Sequence, residues 1–223
     1  MKINKIMAAS LALVLLACFI SSCASSKTSA GSSSAASKTK NTSALTAQER
    51  AALAFYVYAD YKSPLNHFYP SGWMGDTRDL VFDQNNSEYP YAGKTCMKVQ
   101  YTPQGKNGWA GIFWQQPANN WGDKDGGYNL NKATHITFWM KGEKGGEVVS
   151  EIKIGGFKGQ FPDSGSAVKK NITLTKDWTL YYIDLRSKKL SRVAGGFCFA
   201  VNKDDNPKGC TFYIDEVRYE MDK

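Results

Sequence analysis

Short runs of alternating apolar and polar residues make up most of the chain after residue 54. In residues 135–141, for example, Ile136, Phe138 and Met140 fall on one face, as in a half-buried strand. Gly, Asn, Asp and Pro separate the runs. Strands of this kind at about ten-residue spacing are typical of an antiparallel β-sandwich, so the pattern predicts an all-β fold. The predicted strands are residues 55–58, 80–82, 95–101, 109–114, 135–141, 148–154, 167–174, 179–184, 196–201 and 211–219.

The last of these runs departs from strict alternation. Ile214 and Val217 both have the character of core residues, although they are an odd number of positions apart. A β-bulge at Asp215 and Glu216 would place both on the inner face, and would also aim one carboxylate toward a metal. A surface acid on an edge strand is the simpler interpretation of Asp215.

The first 23 residues have the three parts of a secretory signal. Residues 1–7 contain Lys2 and Lys5 and no acid, residues 8–20 are apolar, and small residues precede Cys23. The apolar run is shorter than the roughly 20 residues that span a bilayer, which disfavours a transmembrane helix. Residues 20–23 resemble a lipobox, in which the final cysteine is lipidated, and ordinary secretion is the alternative.

Residues 15–18 fit the same motif, so Cys18 competes with Cys23 as the lipidated residue. Cys23 is favoured because a polar Ser, Ala and Lys-rich stretch begins directly after it. The predicted organisation is a signal peptide over residues 1–22, a disordered tether over 23–46 and a folded domain over 47–223. A capping-box spacing at Thr46 to Glu49 predicts a helical turn or two before the first strand. The protein is thus expected on the outer membrane or cell surface, with the periplasmic face as an alternative.

The charge of the chain is concentrated before the domain. The chain has 28 basic and 20 acidic residues, a net charge of +8. Five lysines and no acid precede residue 47, which leaves 23 basic residues and a net charge of +3 for the domain. A nearly balanced domain does not call for nucleic acid as a partner.

Three cysteines, Cys96, Cys198 and Cys210, lie in the predicted domain. Export permits a disulfide, and an odd count leaves at least one free thiol. A tight hairpin would put Cys198 and Cys210 on opposite faces, so Cys96 with Cys198 is the preferred pair. Free buried thiols are an equal alternative. The spacing of a zinc site is absent from the sequence.

Three segments resemble the galactose-binding-like jelly-roll superfamily, particularly the carbohydrate-binding modules of bacterial glycan-degrading systems. They are Pro70 to Asp76, Gly108 to Gly122 and Phe138 to Glu147, followed by a closing Phe212–Val217 strand. The likeness covers about residues 55–220. It implies a jelly-roll β-sandwich and a structural Ca²⁺ near the first and last strands, with Asp60 and Asp215 as oxygen ligands.

Exposed aromatic faces beside planar polar side chains are what a sugar ligand requires. Residues 115–121 combine amides with Trp121 in one loop, and Trp73 with Asp76 forms a second cluster in a glycine-rich turn. Trp139 and Lys141 lie on the non-core face of their strand and would line a concave surface. For Trp73 and Trp121, closing the open ends of the sandwich is the structural alternative, and Trp109 and Trp178 are expected in the core or at its rim. The predicted ligand-binding residues are Trp73, Asp76, Trp114, Gln115, Asn119, Asn120, Trp121, Trp139 and Lys141.

Signals for catalysis are weak in this sequence. It has two histidines, no Gly-x-Ser-x-Gly elbow and no phosphate-binding glycine loop, and no organic cofactor is expected. Loop carboxylates are available for glycoside hydrolysis, but such acids occur in any exported domain. The sequence therefore predicts a lipid-anchored, non-catalytic domain that binds a poly- or oligosaccharide and places it near the cell or near a glycan-degrading enzyme. An envelope lipoprotein that binds another protein is the alternative, followed by a glycosidase or lyase.

Overall fold

A computed structural model describes residues 54–222, which form two antiparallel β-sheets packed face to face. The six-stranded sheet has the order β3-β4-β11-β6-β9, and β1 pairs with the second half of β11. The five-stranded sheet has the order β2-β5-β10-β7-β8. The strands are β1 (Ala54–Tyr58), β2 (Tyr69–Gly75), β3 (Leu80–Asn86), β4 (Cys96–Tyr101), β5 (Trp109–Gln115), β6 (Ala133–Gly142), β7 (Val148–Gly155), β8 (Ser166–Thr173), β9 (Thr179–Asp184), β10 (Gly195–Asn202) and β11 (Cys210–Met221).

The core lies between the sheets, and the alternation of the sequence produces it. In β6, Ile136, Phe138 and Met140 are fully buried and face the five-stranded sheet, while the residues between them face outward. The same period of two places Ile112 and Phe199 inward from β5 and β10. The predicted antiparallel β-sandwich is therefore confirmed.

The predicted bulge in the last strand is also confirmed. The pairing of β11 with β6 shifts between Asp215 and Arg218, and Glu216 has a φ of 49°. Ile214 and Val217 are both fully buried in consequence. Asp215 is buried rather than exposed, which rules out the simpler interpretation of a surface acid.

Strand β2 was expected to be a glycine-rich turn, and that expectation is wrong. Residues 69–75 pair with β5, with a register shift between Pro70 and Gly72. Because β2 is an edge strand, Pro70 is tolerated there. A single 3₁₀ turn, Thr77–Asp79, follows it. Within residues 54–222, no helix is long and apolar enough to cross a membrane. The predicted signal peptide, tether and helical turn lie outside the described residues, as does Cys23.

Candidate ligand-binding surface

The outer face of the five-stranded sheet carries a row of large and small side chains. Trp109, Gly111 and Phe113 alternate with inward-facing residues of β5, and Gly111 pairs with Ala200 of β10. In antiparallel pairing, residues directly opposite each other share a face. The small residues Gly111 and Ala200 therefore form a low floor between larger groups.

A concavity lies at one end of this face. It is lined by Trp109, Glu151, Lys170, Ala200 and Asn202, with Ser150 and Asn171 beside them. Trp109 is 38% exposed. The Lys170 ammonium lies 3.9 Å from a carboxylate oxygen of Glu151. One tryptophan face beside an amide, a carboxylate and an ammonium group can cover an apolar ring surface and hydrogen-bond the hydroxyls at its rim.

The polar rim of this concavity is held in place by one carboxylate. Asp205 Oδ2 accepts hydrogen bonds from Asn202 Nδ2 at 2.7 Å and from Ser150 Oγ at 3.2 Å. Asn202 Oδ1 in turn accepts a hydrogen bond from the Asp205 N–H at 2.8 Å. The Asn202 side chain is therefore oriented before any ligand arrives.

Trp121 marks the opposite end of the same face. Its ring is exposed and lies 5.3 Å from the ring of Phe157 and 6.4 Å from that of Phe113. Phe113 and Phe157 are both buried, so they support Trp121 from below. The Trp121 N–H donates to Asp123 Oδ1 at 3.0 Å, which fixes the start of the turn.

Asn120, which precedes Trp121, has a structural role. Its Oδ1 accepts the N–H groups of Gly122 at 2.9 Å and Lys124 at 3.2 Å. Its Nδ2 donates to the carbonyls of Lys124 at 3.0 Å and Gln116 at 3.2 Å. The side chain is fully buried and all its hydrogen-bonding capacity is used, so it shapes the loop rather than contacting a ligand.

Gln115 and Asn119 belong to a short hydrogen-bond chain beneath the loop. The Asn119 N–H donates to Ser71 Oγ at 2.8 Å, and Ser71 Oγ donates to Gln115 Oε1 at 2.8 Å. Gln115 is fully buried, while Asn119 is exposed next to Trp121. Of these two predicted ligand contacts, only the Asn119 side chain is accessible.

Trp73 and Asp76 lie away from this outer face. Trp73 pairs with the inward-facing Ile112 and therefore points toward the open edge of the sandwich, where its ring lies 6.2 Å from Phe82 of the opposite sheet. Asp76 accepts hydrogen bonds from Asn107 Nδ2 at 2.9 Å and the Gly108 N–H at 2.8 Å. Trp73 closes an edge of the sandwich, which agrees with the structural alternative given for it, and Asp76 holds the β4–β5 loop.

The choice of Trp114 as a ligand contact is wrong. Trp114 is 1% exposed and its ring lies 5.4 Å from that of Phe197 in the core. Trp109, which was not among the predicted residues, faces the concavity instead. The two are five positions apart in one strand and so lie on opposite faces. Their odd spacing in the sequence therefore indicated that only one of the two tryptophans could face outward. The spacing alone does not reveal which face of the strand is the interior.

Trp139 and Lys141 lie on the outer face of the six-stranded sheet, on the opposite side of the sandwich from Trp109. Trp139 stacks on Tyr91 with ring centroids 3.8 Å apart. The Lys141 ammonium lies 5.4 Å from the centre of the Tyr89 ring. The predicted ligand residues are therefore divided among two faces, one edge and the core.

Asp60 and Asp215, the predicted calcium ligands, instead bind backbone N–H groups of the β3–β4 loop. Asp60 Oδ1 accepts the N–H groups of Lys94 at 2.9 Å and Thr95 at 2.8 Å, and the Thr95 hydroxyl at 3.0 Å. Asp215 Oδ2 accepts the N–H groups of Tyr91 at 2.8 Å and Ala92 at 3.2 Å.

These contacts do not fit a calcium site at the two residues. Calcium needs six to eight oxygen ligands, and N–H donors already point at three of the four carboxylate oxygens, including Asp215 Oδ1, which accepts the Glu216 N–H at 2.8 Å. Within residues 54–222, no cluster of three His, Cys, Asp or Glu side chains is arranged to hold a metal ion. Burial raises the pKa of Asp215 to about 7, while the N–H donors act in the opposite direction.

The predicted disulfide between Cys96 and Cys198 is wrong. Both thiols are free and buried, and they lie in different sheets. Cys96 Sγ donates weak hydrogen bonds to Asn86 Oδ1 at 3.6 Å and Glu88 O at 3.7 Å, and burial raises its pKa to about 12. Cys198 packs with Phe113 and Phe157. The alternative of free buried thiols is confirmed for both.

Comparison with solved structures shows the fold. A family 30 carbohydrate-binding module is 18% identical, with 78% of this chain and 91% of that chain covered and a TM-score of 0.50. The family 30 module of the cellulosomal cellulase Cel9D-Cel44B of Clostridium thermocellum is 17% identical over 77% of this chain and 98% of that one, with a TM-score of 0.45. An arabinose-bound α-L-arabinofuranosidase is 13% identical over 75% of this chain and 25% of that one, with a TM-score of 0.47.

No protein-family model matches the chain, and no curated protein matches its sequence. At 18% identity, the first structure shows a shared fold. The predicted jelly-roll β-sandwich fold is therefore confirmed.

Proposed function

We propose that the domain binds a poly- or oligosaccharide, without cleaving it, on the outer face of its five-stranded sheet. The observation that carries this proposal is the concavity in which Trp109 lies beside Asn202, Glu151 and Lys170. Sugars present C–H faces that pack on aromatic rings and hydroxyls that pair with planar polar groups. The jelly-roll similarity to a carbohydrate-binding module supports the same conclusion.

The spacing of the aromatic groups suits a chain of sugars rather than a single ring. Trp109 and Phe113 are four residues apart in β5, which corresponds to about 14 Å along an extended strand. Trp121 lies over Phe113 at the far end. The ligand would therefore lie along β5, with the floor of Gly111 and Ala200 beneath its middle.

Binding without cleavage is proposed because four of the five carboxylates available for hydrolysis, all but Glu143, already have local partners. Glu151 pairs with Lys170, and Asp123 accepts the Trp121 N–H. Asp125 lies 3.1 Å from Arg192, and Glu147 is buried and accepts the Lys144 N–H at 2.8 Å. A glycosidase needs two carboxyl groups that flank one bond. Asp123 and Asp125 lie in the β5–β6 loop, Glu147 in the β6–β7 loop and Glu151 in β7.

The proposal includes an envelope location. Lipid on Cys23 would anchor the chain, and the polar residues 24–46 would let the domain reach a glycan away from the membrane. Metabolic labelling with an alkyne fatty acid tests this part. The label is expected in the wild-type chain and in Cys18→Ala, and lost in Cys23→Ala. Retention of label in Cys23→Ala would contradict the assignment.

Affinity electrophoresis tests the glycan-binding proposal. The native chain is run through gels that contain mixed-linkage β-glucan, xyloglucan, galactomannan or polygalacturonate, with a heat-unfolded sample as the control. At least one polysaccharide is expected to retard the native chain. A folded chain that migrates identically in every gel would contradict the proposal.

A further inference from the structure

The outer face of the six-stranded sheet carries an exposed aromatic cluster on the side of the sandwich opposite Trp109. We call it the tyrosine platform, and it consists of Tyr89, Tyr91, Trp139, Lys141 and Trp178. Tyr89 is 68% exposed and Tyr91 is 42% exposed. Large exposed aromatic residues that lie together on a surface are typical of binding sites.

The rings of the platform are arranged around Tyr91. Tyr91 stacks on Trp139 with a centroid separation of 3.8 Å and an interplanar angle of 16°. The Trp178 ring meets Tyr91 edge-on at 6.1 Å. Trp139 is fixed by its strand, because it pairs with Asp215 on one side and Leu180 on the other. The sheet therefore supplies a rigid base on which the loop residue Tyr91 lies.

The β3–β4 loop, which carries both tyrosines, is fastened to the sheet by its backbone. The buried carboxylate of Asp215 accepts the N–H groups of Tyr91 and Ala92 at 2.8 and 3.2 Å. Trp178 Nε1 donates to the Tyr89 carbonyl at 3.1 Å. Asp60 holds the end of the loop through Lys94 and Thr95. Side chains presented by an anchored backbone lose less freedom on binding a ligand.

Tyr89 contributes little that the fold requires. Its φ is 64°, a conformation in which a residue other than glycine is uncommon. Tyr89 is mostly exposed, and its ring centre lies 5.4 Å from the Lys141 ammonium. A large ring at a left-handed position that neither packs in the core nor eases the turn points to a ligand.

Lys141 supplies a hydrogen-bond donor beside Tyr89. Its ammonium lies between the rings of Tyr89 and Tyr213, at 5.4 and 5.7 Å. The neighbouring Lys98 is paired with Glu88 at 3.7 Å, whereas Lys141 has no carboxylate within 4.0 Å among residues 54–222. Aromatic faces, tyrosine hydroxyls and one free ammonium together can bind the C–H face and the hydroxyls of a sugar.

We infer that the tyrosine platform is a second glycan-binding surface. It lies on the opposite sheet from the Trp109 concavity, so one molecule can hold two chains or two segments of one chain. Two linked contacts raise the apparent affinity without any new interaction at either one. This inference does not depend on the first surface, because each surface has its own aromatic and polar groups.

The test uses the full chain in affinity gels that contain the same four polysaccharides. Three variants are compared with the wild type: Trp109→Ala, Tyr89→Ala with Tyr91→Ala, and all three substitutions together. Tyr182→Ala is the matched control, because Tyr182 is 56% exposed on the same sheet but lies on β9 beside His135.

Trp109→Ala is expected to remain retarded in at least one gel, with an apparent affinity about tenfold lower than that of the wild type. The triple variant is expected to lose this residual retardation. Tyr182→Ala is expected to migrate as the wild type does. Because Tyr91→Ala removes the ring that stacks on Trp139, Tyr89→Ala alone serves as a second variant that keeps the stacked pair. Its affinity for the polysaccharide is expected to be at least about threefold lower than that of the wild type.

Two results would overturn the inference. In one, the double tyrosine variant migrates as the wild type does, and the triple variant migrates as Trp109→Ala does, in every gel. If Trp109→Ala alone also abolishes all retardation, the Trp109 surface is supported and the platform is not a glycan-binding surface. In the other, none of the four polysaccharides retards the wild-type chain. If only the tyrosine variants lose retardation, the platform is supported as a binding surface and the Trp109 surface is not.

Discussion

Replacing Asp215 with asparagine tests how the β3–β4 loop is held. Asp215 is fully buried in the β11 bulge and accepts three backbone N–H groups, from Tyr91, Ala92 and Glu216. The asparagine side chain would keep one oxygen for the loop. Its amide nitrogen would face another donor, at a cost of about 1–3 kcal/mol that does not depend on pH.

The pH-dependent part comes from the pKa of the carboxyl group. Burial raises the pKa of Asp215 to about 7 in the folded chain, against about 3.9 in the unfolded chain. Between these values the folded state binds more protons, so the free energy of unfolding falls as pH rises from about 4 to about 7. At about 1.36 kcal/mol for each tenfold difference in proton affinity, the loss is about 4 kcal/mol.

Urea unfolding of the wild type and Asp215→Asn, followed by tryptophan fluorescence from about pH 4 to about pH 8, measures this difference. Groups not coupled to Asp215 titrate alike in both proteins and cancel. The free energy of unfolding of the wild type minus that of Asp215→Asn is expected to fall by about 4 kcal/mol across the range, which changes its sign because the asparagine cost is about 1–3 kcal/mol. An advantage that stays constant with pH would refute the reasoning that the buried group binds a proton on folding.

Three further predictions follow from the packing and the polar contacts. Trp114→Ala removes a core side chain that is 1% exposed and is expected to lower the free energy of unfolding by about 3–5 kcal/mol in urea titrations, with ligand affinity unchanged in the variant that remains folded. Because Cys96 and Cys198 are free, reductant is expected to leave the urea midpoint unchanged, whereas loss of a disulfide would lower stability by about 2–5 kcal/mol. Since N–H groups occupy the carboxylates of Asp60 and Asp215, EDTA is expected to leave the melting temperature unchanged, and a rise on adding Ca²⁺ would show that a calcium site exists.

The fold was predictable because its strands bury one face each. Alternation within β6 identified the inward residues Ile136, Phe138 and Met140, and the interruption of alternation between Ile214 and Val217 located the bulge. Strand β2 was missed because Pro70 and Gly72 are unfavourable in strands. Its place at the edge of the sheet, which no local pattern reveals, makes them tolerable.

The site was less predictable because it depends on which strands join which sheet. Trp121 in a loop and Trp139 in a strand were both predicted to contact the ligand, yet they lie on opposite sides of the sandwich. Pairing between distant strands decides this, and the same pairing separates Cys96 in β4 from Cys198 in β10. Tyr89 and Tyr91 were missed since the fold of their loop depends on the distant Asp215.

The exposed area of Trp109 sets the size of its expected contribution to binding. A tryptophan side chain has up to about 250 Å² of surface, of which 38% is accessible here, or about 95 Å². At about 25 cal/mol per Å², full coverage by a ligand contributes about 2.4 kcal/mol, or about 50-fold in affinity. If the ligand covers only part of the Trp109 ring, Trp109→Ala is expected to lower the affinity by about fivefold to tenfold.

Isothermal titration calorimetry of the wild type, Trp109→Ala and Trp73→Ala, with the polysaccharide that retards the chain most, tests the central claim directly. Trp73 is the matched control, because it is similarly exposed but closes the sandwich edge beside Phe82. The proposed binding face predicts that Trp109→Ala raises Kd between about fivefold and about 50-fold and that Trp73→Ala leaves it within about twofold. An unchanged Kd for a folded Trp109→Ala variant, or an equal loss in both variants, would contradict the placement of the ligand on the five-stranded sheet.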